Sequence, residues 1–287
     1  MTGRGERHTT GWYLYGLIDT RPAPVLDDVQ YLPVRDLTAL IGEVTLEEFD
    51  EAKLKERLND PKWLERKLLK HQAVLDRALK SAATVIPMKF ATIFRSQASL
   101  VRPLEAQYGP IHELAKKLQQ KHEYGLKLFW NRSLAEAEVE QTHPSIQALK
   151  TQLAGQPEGT AYLLRKQFMK LLGEEAEKRL NQDLQTIYER LGAISEERQV
   201  SSTVAEHVVK HEAEVVLNVA LLVSANRRDE LLRAVAKLQQ AFAPRGYTVK
   251  LVGPFPPYHF SQLPDLHAAP DTDAQPSGRS TAQEHVG

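Results

Sequence analysis

Apolar and polar positions change period several times along the chain, and each change marks an element. Trp12-Tyr13-Leu14-Tyr15-Gly16-Leu17-Ile18 is a run of aromatic and branched residues that predicts a buried strand, ended by Pro22 and Pro24. Residues 29–34 and 37–46 predict two short strands joined as a hairpin through Pro33-Val34-Arg35-Asp36. Asn59-Asp60-Pro61 supplies a cap with proline near the first helical position, and Leu64, Leu68, His71, Leu75, Ala78 and Ala82 follow at three- and four-residue spacing, an amphipathic helix. Residues 84–94 return to strand composition, where Pro87 imposes an edge, a bulge or a break. Leu100, Leu104, Ile111, Leu114 and Leu118 outline a second helical region, interrupted at Gly109-Pro110. Tyr124, Leu126, Leu128 and Trp130 then alternate with Glu123, Gly125, Lys127 and Phe129, a strand with one face on a core. Strands and helices in this order predict an α+β unit over residues 11–140, with a ferredoxin-like sheet as the expected form.

The turn-rich stretch from Thr142-His143-Pro144 to Pro157-Glu158-Gly159 places a linker at residues 141–160. Beyond it, Leu164, Phe168, Leu171, Leu172, Ala176, Leu180, Leu184, Ile187 and Leu191 keep helical register over residues 161–191, enough for a helix about 45 Å long. Lys166, Lys170, Glu174, Glu177, Lys178 and Asp183 form its solvated face. A strand at 215–223, a helix at 228–242 and a strand at 247–252 predict a βαβ unit with parallel strands and a right-handed crossover. The second α+β unit therefore covers residues 161–260. The polar leader 1–10 and the tail 261–287, poor in apolar residues, are expected to be disordered.

The second unit ends in Gly253-Pro254-Phe255-Pro256-Pro257-Tyr258-His259-Phe260. Proline has a fixed φ and no backbone donor, so the sheet ladder is expected to stop here and the chain to leave as a stiff ribbon. Phe255, Tyr258 and Phe260 hang from a backbone with little entropy left to lose, which makes them the candidate partner-binding residues. Aromatics beside a strand end also serve to close their own domain, and the local pattern leaves both roles open.

Composition narrows the function classes. Lys plus Arg and Asp plus Glu are 37 each in 287 residues, a net charge of zero, against the one-sided field of a nucleic-acid binder or a polybasic membrane protein. With no cysteine there is no disulfide, thiolate nucleophile or cysteine-ligated metal. The longest apolar run, residues 215–223, is about half the ~20 residues of a membrane span, and residues 1–10 carry no apolar stretch of the secretory kind. A soluble, cytoplasmic protein is expected.

No catalytic constellation stands out. The dipeptides His112-Glu113, His122-Glu123 and His211-Glu212 lack the second histidine of a zinc-protease helix, since Lys116, Leu126 and Val215 occupy its place. His207 and His211 would share a helix face beside Glu206, Glu212 and Glu214, yet two histidines do not close a metal site. His71, on the apolar face of its helix, is expected to be a hydrogen-bonded core histidine. Phosphate-binding loops and the Gly-x-Ser-x-Gly elbow are missing, and Asp27-Asp28, Glu47-Glu48 and Glu196-Glu197 lie in polar surroundings that favour solvated surface. The expectation is a binding protein without catalytic residues, metal or cofactor.

Several of these segments together resemble the gas vesicle synthesis protein family F/L. The resemblance runs from about Gly11 to Phe260. It rests on the Trp-Tyr-Leu-Tyr-Gly strand, the helix with Trp63 and His71, Val85-Ile86-Pro87-Met88-Lys89-Phe90-Ala91-Thr92-Ile93-Phe94, the strand ending at Trp130, and above all Leu221-Leu222-Val223 with the terminal proline-aromatic segment. Met88-Lys89-Phe90-Ala91 stands where family members more often look like Leu-Arg-Phe-Gly, a departure centred on the backbone at Ala91. The resemblance implies a non-enzymatic gas vesicle accessory protein with two α+β domains. Its implied partner is the small hydrophobic shell protein, with other gas vesicle proteins as further partners, and its implied role is to assist vesicle nucleation and assembly. A minor structural component of the vesicle and a ferredoxin-like ligand- or metal-binding regulator are the alternatives.

Overall fold

The computed structural model describes residues 9–19, 28–49, 51–201, 213–263 and 266. Three strands open the chain, β1 (Thr10–Asp19), β2 (Gln30–Val34) and β3 (Leu37–Thr45), followed by α1 (Glu51–Arg57) and α2 (Pro61–Leu79). The Asp60 carboxylate accepts from the backbone N–H groups of Lys62 and Trp63, with Pro61 in the first turn, as the Asn59-Asp60-Pro61 signal predicts. The short strands β4 (Val85–Pro87) and β5 (Ile93–Phe94) flank a break after Pro87, and α3 (Gln97–Ala106) and α4 (Tyr108–Leu118) divide at Gln107.

The second half contains β6 (Lys121–Asn131), α5 (Arg132–Thr142), α6 (Pro144–Leu153), α7 (Glu158–Gly192), β7 (Glu197–Val200), β8 (Ala213–Ser224), α8 (Arg228–Phe242) and β9 (Tyr247–Phe255). At 35 residues α7 is about 52 Å long, and its first turns leave Tyr162 and Leu163 exposed.

Both sheets are antiparallel and share one strand order. The first runs β2-β3-β1-β4, with β5 also on β1, and the second runs β7-β8-β6-β9. Numbered within its own sheet, each reads second, third, first, fourth, the order of a ferredoxin-like sheet. In the second sheet both crossovers are helical, α5 to α7 between β6 and β7, and α8 between β8 and β9.

Three expectations change here. The alternating strand at 121–131, placed in the first unit, is a central strand of the second sheet. Periodicity identifies an apolar face but not the helix that covers it. Tyr124, Leu126, Leu128 and Trp130 pack with Ala135, Val139, Leu172, Ile187 and Leu238, all later in the chain. The expected linker 141–160 is largely helical, because Pro144 suits a first helical turn and Ile146 and Leu149 are buried. Finally, β8 and β9 do run parallel, yet they are not neighbours, since β6 lies between them and is antiparallel to both.

The core has three parts. One face of the second sheet packs under α5, α7 and α8. One face of the first sheet, with Tyr13, Tyr15 and Ile18, packs on Val74, Leu75 and Ala78 of α2. The first sheet's other face joins α3 and α4 to Ala220 and Leu222 of β8, and Phe260 and Leu266 complete that cluster. This seam unites the two sheets. Part of the tail expected from residue 261 is therefore packed, through Leu263 and Leu266, and residues 267–287 lie outside the described residues.

At the free side of β9 the Gln239 amide mimics a neighbouring strand. Its Nε2 donates to the Tyr247 carbonyl at 3.2 Å, and the Val249 N–H donates to its Oε1 at 2.7 Å. An edge that would otherwise offer a pairing template is closed there by one side chain.

Candidate functional site

The proline-aromatic segment does not stop the ladder where expected. Gly125 pairs with Val252 and Glu123 with Phe255, so Gly253 and Pro254 together stand opposite Tyr124 and the strand resumes beyond them. This is a bulge, and Gly253 makes it possible with φ of 122°. A Cβ there would lie 2.9 Å from the Glu123 carbonyl and 3.0 Å from Tyr124 Cδ1.

Beyond Phe255 the chain crosses the seam as a strap. Pro256 and Pro257 are buried, and local bonds from Tyr258 N–H to the Pro256 carbonyl (2.8 Å) and from Phe260 N–H to the Pro257 carbonyl (3.1 Å) shape a single 3-10 turn. The three aromatics expected to act together part company. Phe260, 7% exposed, enters the seam core, Phe255 is half-buried at the end of β9, and Tyr258 is 38% exposed with its ring 6.4 Å from that of His71.

One carboxylate fixes the strap. Glu123, on the seam side of β6, is only 4% exposed, and it accepts from the His259 backbone N–H through Oε2 (2.8 Å) while Oε1 lies 2.7 Å from His259 Nδ1. A buried carboxylate carries a desolvation cost that only such partners offset. The sequence places Glu123 in a His-Glu dipeptide and on the polar side of an alternating strand, with no role of its own. Its signal was a lone acidic residue in a strand of apolar alternation.

His71 lies beneath the strap on α2, as a core histidine. The Ala91 N–H donates to the Tyr13 hydroxyl oxygen at 3.0 Å, and Tyr13 Oη is 2.9 Å from His71 Nδ1. The Tyr13 hydroxyl thus links the imidazole to the Ala91 backbone. Burial pushes the His71 imidazole down to about 4, so the ring is neutral. Through Tyr13 it holds the turn before β5, where Ala91 adopts φ of 62°, the left-handed region that glycine enters freely. Ala91→Gly is therefore expected to stabilise the protein by up to about 1 kcal/mol, read as a rise in the urea midpoint at unchanged slope.

The other candidates resolve into surface ties. His112 Nδ1 is 3.0 Å from Asp36 Oδ2, and the Tyr108 hydroxyl donates to Asp36 Oδ1 at 2.6 Å, pinning the β2–β3 turn to α4. Glu113 pairs with Lys116 at 2.8 Å. His207 and His211 lie outside the described residues. Among the described residues no group of three histidine, aspartate or glutamate side chains is arranged to hold a metal ion.

Two antiparallel sheets of one strand order, sealed by an apolar strap, make this a mixed α/β protein whose fold is shared with solved gas vesicle proteins. GvpF from Anabaena sp. PCC7120 superposes with a TM-score of 0.64 at 20% identity, covering 89% of this chain and 99% of that one. GvpF from Microcystis aeruginosa gives 0.59 at 19%, covering 88% and 99%. The chain belongs to the gas vesicle synthesis protein GvpL/GvpF family, whose model matches residues 11–262. Gas vesicle protein L of Haloferax mediterranei is 30% identical over 74% of this chain and 66% of its own length. Gas vesicle protein L2 of Halobacterium salinarum is 27% identical over 89% and 92%. Gas vesicle protein F of Nostoc sp. PCC 7120 is 24% identical over 89% and 99%.

Proposed function

We propose that this chain is a non-enzymatic accessory protein of gas vesicles that binds the hydrophobic shell protein and assists vesicle nucleation and assembly. The observation that carries the reading is the family match across residues 11–262, which takes in both sheets and the strap. Physical chemistry supports it. A shell subunit with a water-repelling face aggregates unless a partner covers that face, and a carrier of zero net charge adds no strong field of its own. Exposed Tyr162, Leu163 and Met169 near the start of α7 add apolar contact area of the kind such a carrier needs. Among the described residues no helix is long and apolar enough to cross a membrane. Other gas vesicle proteins are further partners under the same reading.

Co-expression with the shell protein tests this directly. A tagged chain is expected to recover soluble shell protein that sediments when expressed alone. Recovery of the tagged chain without shell protein, where the shell protein is itself soluble, would overturn the reading.

A further inference from the structure

Helix α7 presents two stripes. The inward one runs through Leu172, Ala176, Ile187 and Leu191, all buried. Asp183 joins it: expected on the solvated face, this carboxylate is 5% exposed and pairs with Arg245 at 2.5 Å. The outward stripe runs from Leu163 through Lys166, Lys170, Gly173, Glu177 and Leu180 to Leu184, and its alternating steps of three and four residues hold one face for about 32 Å. Leu163 is 67% exposed, and the side chains of Lys170 and Glu177 are 75% and 56% exposed. Gly173, Leu180 and Leu184 are half-buried, with the rest of their surface turned to solvent. Charge is ordered along this face. Lys166 and Lys170 come before Gly173, and Glu174 and Glu177 follow it.

We propose that two copies of the chain pair through this face, with their α7 helices antiparallel about a two-fold axis beside Gly173. The face is complementary to its own reverse. In that register Lys170 lies opposite Glu177 of the second copy and Leu163 opposite Leu184, and the symmetry makes each contact twice. Parallel pairing would instead set Lys166, Lys170 and Glu177 against their own copies, and like charges oppose it. Gly173 puts no side chain between the helices at the axis, and a Cβ there would meet nothing nearer than Arg132 Nη1 at 4.0 Å, so the approach is open. Within one chain Lys170 reaches Glu174 at 3.7 Å and Glu177 meets Arg132, exposed pairs that cost little to share with a second copy. The ground on which the second copy's Leu163 lands is apolar. The Arg198 guanidinium of β7 stacks on Tyr188 at 3.9 Å, which sets the β7 edge beside this half of α7, and Val200 two residues further on is 53% exposed. The apolar tip that offers contact area to a cargo in the reading above thus meets a second copy when the chain is alone. The inference does not rest on that reading.

Sedimentation equilibrium of the full chain tests this, with a monomer–dimer equilibrium expected for the wild type. Lys170→Glu and Glu177→Lys each turn two symmetric attractions into repulsions, so either alone is expected to raise the dissociation constant about tenfold. The two together restore opposite charges across the axis and should return the constant to within about threefold of wild type. Both side chains are mostly exposed, and unchanged circular dichroism confirms that the fold is kept. Leu163→Asp at the exposed tip supplies a second arm, with a comparable loss of dimer expected. A monomeric wild type overturns the inference and leaves the face to some other partner. So does a dimer indifferent to the single variants, or a double variant as weak as either single one. Shell-protein capture is read separately: a monomer that captures it removes the dimer and leaves the functional reading, whereas a dimer that captures none does the reverse.

Discussion

Gly253→Ala is expected to destabilise the protein by about 3 kcal/mol. Two costs combine at this position. An L-residue at φ of 122° sits in a region open essentially to glycine, worth on the order of 1–3 kcal/mol. The new Cβ would also meet backbone at Glu123 and the ring of Tyr124 at about 3 Å, contacts that require the bulge to shift. Because the bulge sets where Phe255 pairs with Glu123, the shift is transmitted to the strap. Urea unfolding should show a lower midpoint, and the amides of residues 258–263 should lose protection before those of β8. Gly109→Ala is the control: the helical site is open, with nothing within 4 Å of the added Cβ, and a neutral or slightly stabilising change is expected. Equal midpoints for the two variants would refute the assignment of the bulge as the critical joint.

His71 should impose a steep acid limit on stability. Burial lowers its folded-state value to about 4, against 6.5 as the ordinary value. The unfolded chain therefore binds a proton that the folded chain refuses, and ΔG of unfolding rises with pH between these values. The contribution is complete above pH 6.5, falls away as pH drops towards 4, and is flat below that, where both states are protonated. Integrated over the window it amounts to about 3 kcal/mol. His71→Gln removes the titration. Its stability at neutral pH is lowered by the change at the Tyr13 hydroxyl, yet its loss between pH 6.5 and 4 should be about 3 kcal/mol smaller than that of the wild type. Parallel curves for the two proteins would show that His71 does not titrate in the fold.

Elements whose evidence is local were readable in the chain itself. Asp60 and Pro61 mark the start of α2, Pro87 marks the break between β4 and β5, and the spacing from Leu164 to Leu191 marks α7. Partnership was not readable, because periodicity reports a face and not its cover. Lys121–Asn131 thus looked like the last strand of the first unit, although its apolar face waits for α5, α7 and α8. The short edge strand β7 was missed for a related reason: its Glu197, Arg198, Gln199 and Val200 carry no apolar alternation and join the sheet through backbone bonds to β8. At the candidate site the proline-aromatic segment is conspicuous in the sequence, and its three aromatics diverge into core, edge and surface. Glu123 carries only the weak signal of a lone acid in an apolar strand, because the partner that gives it a role lies 136 positions away.

The position of β6 in the second sheet sets a timetable for synthesis. Its last residue is Asn131, and its first sheet neighbour, β8, begins at Ala213, with 81 residues between them. At roughly 5–20 residues per second, the strand is on hand for about 4–16 s before β8 is translated, and longer before β9 is. During that interval Tyr124, Leu126, Leu128 and Trp130 have only α5, α6 and the growing α7 to lie against. The three helices that separate β6 from its neighbours in sequence are thus also its temporary shelter on the ribosome.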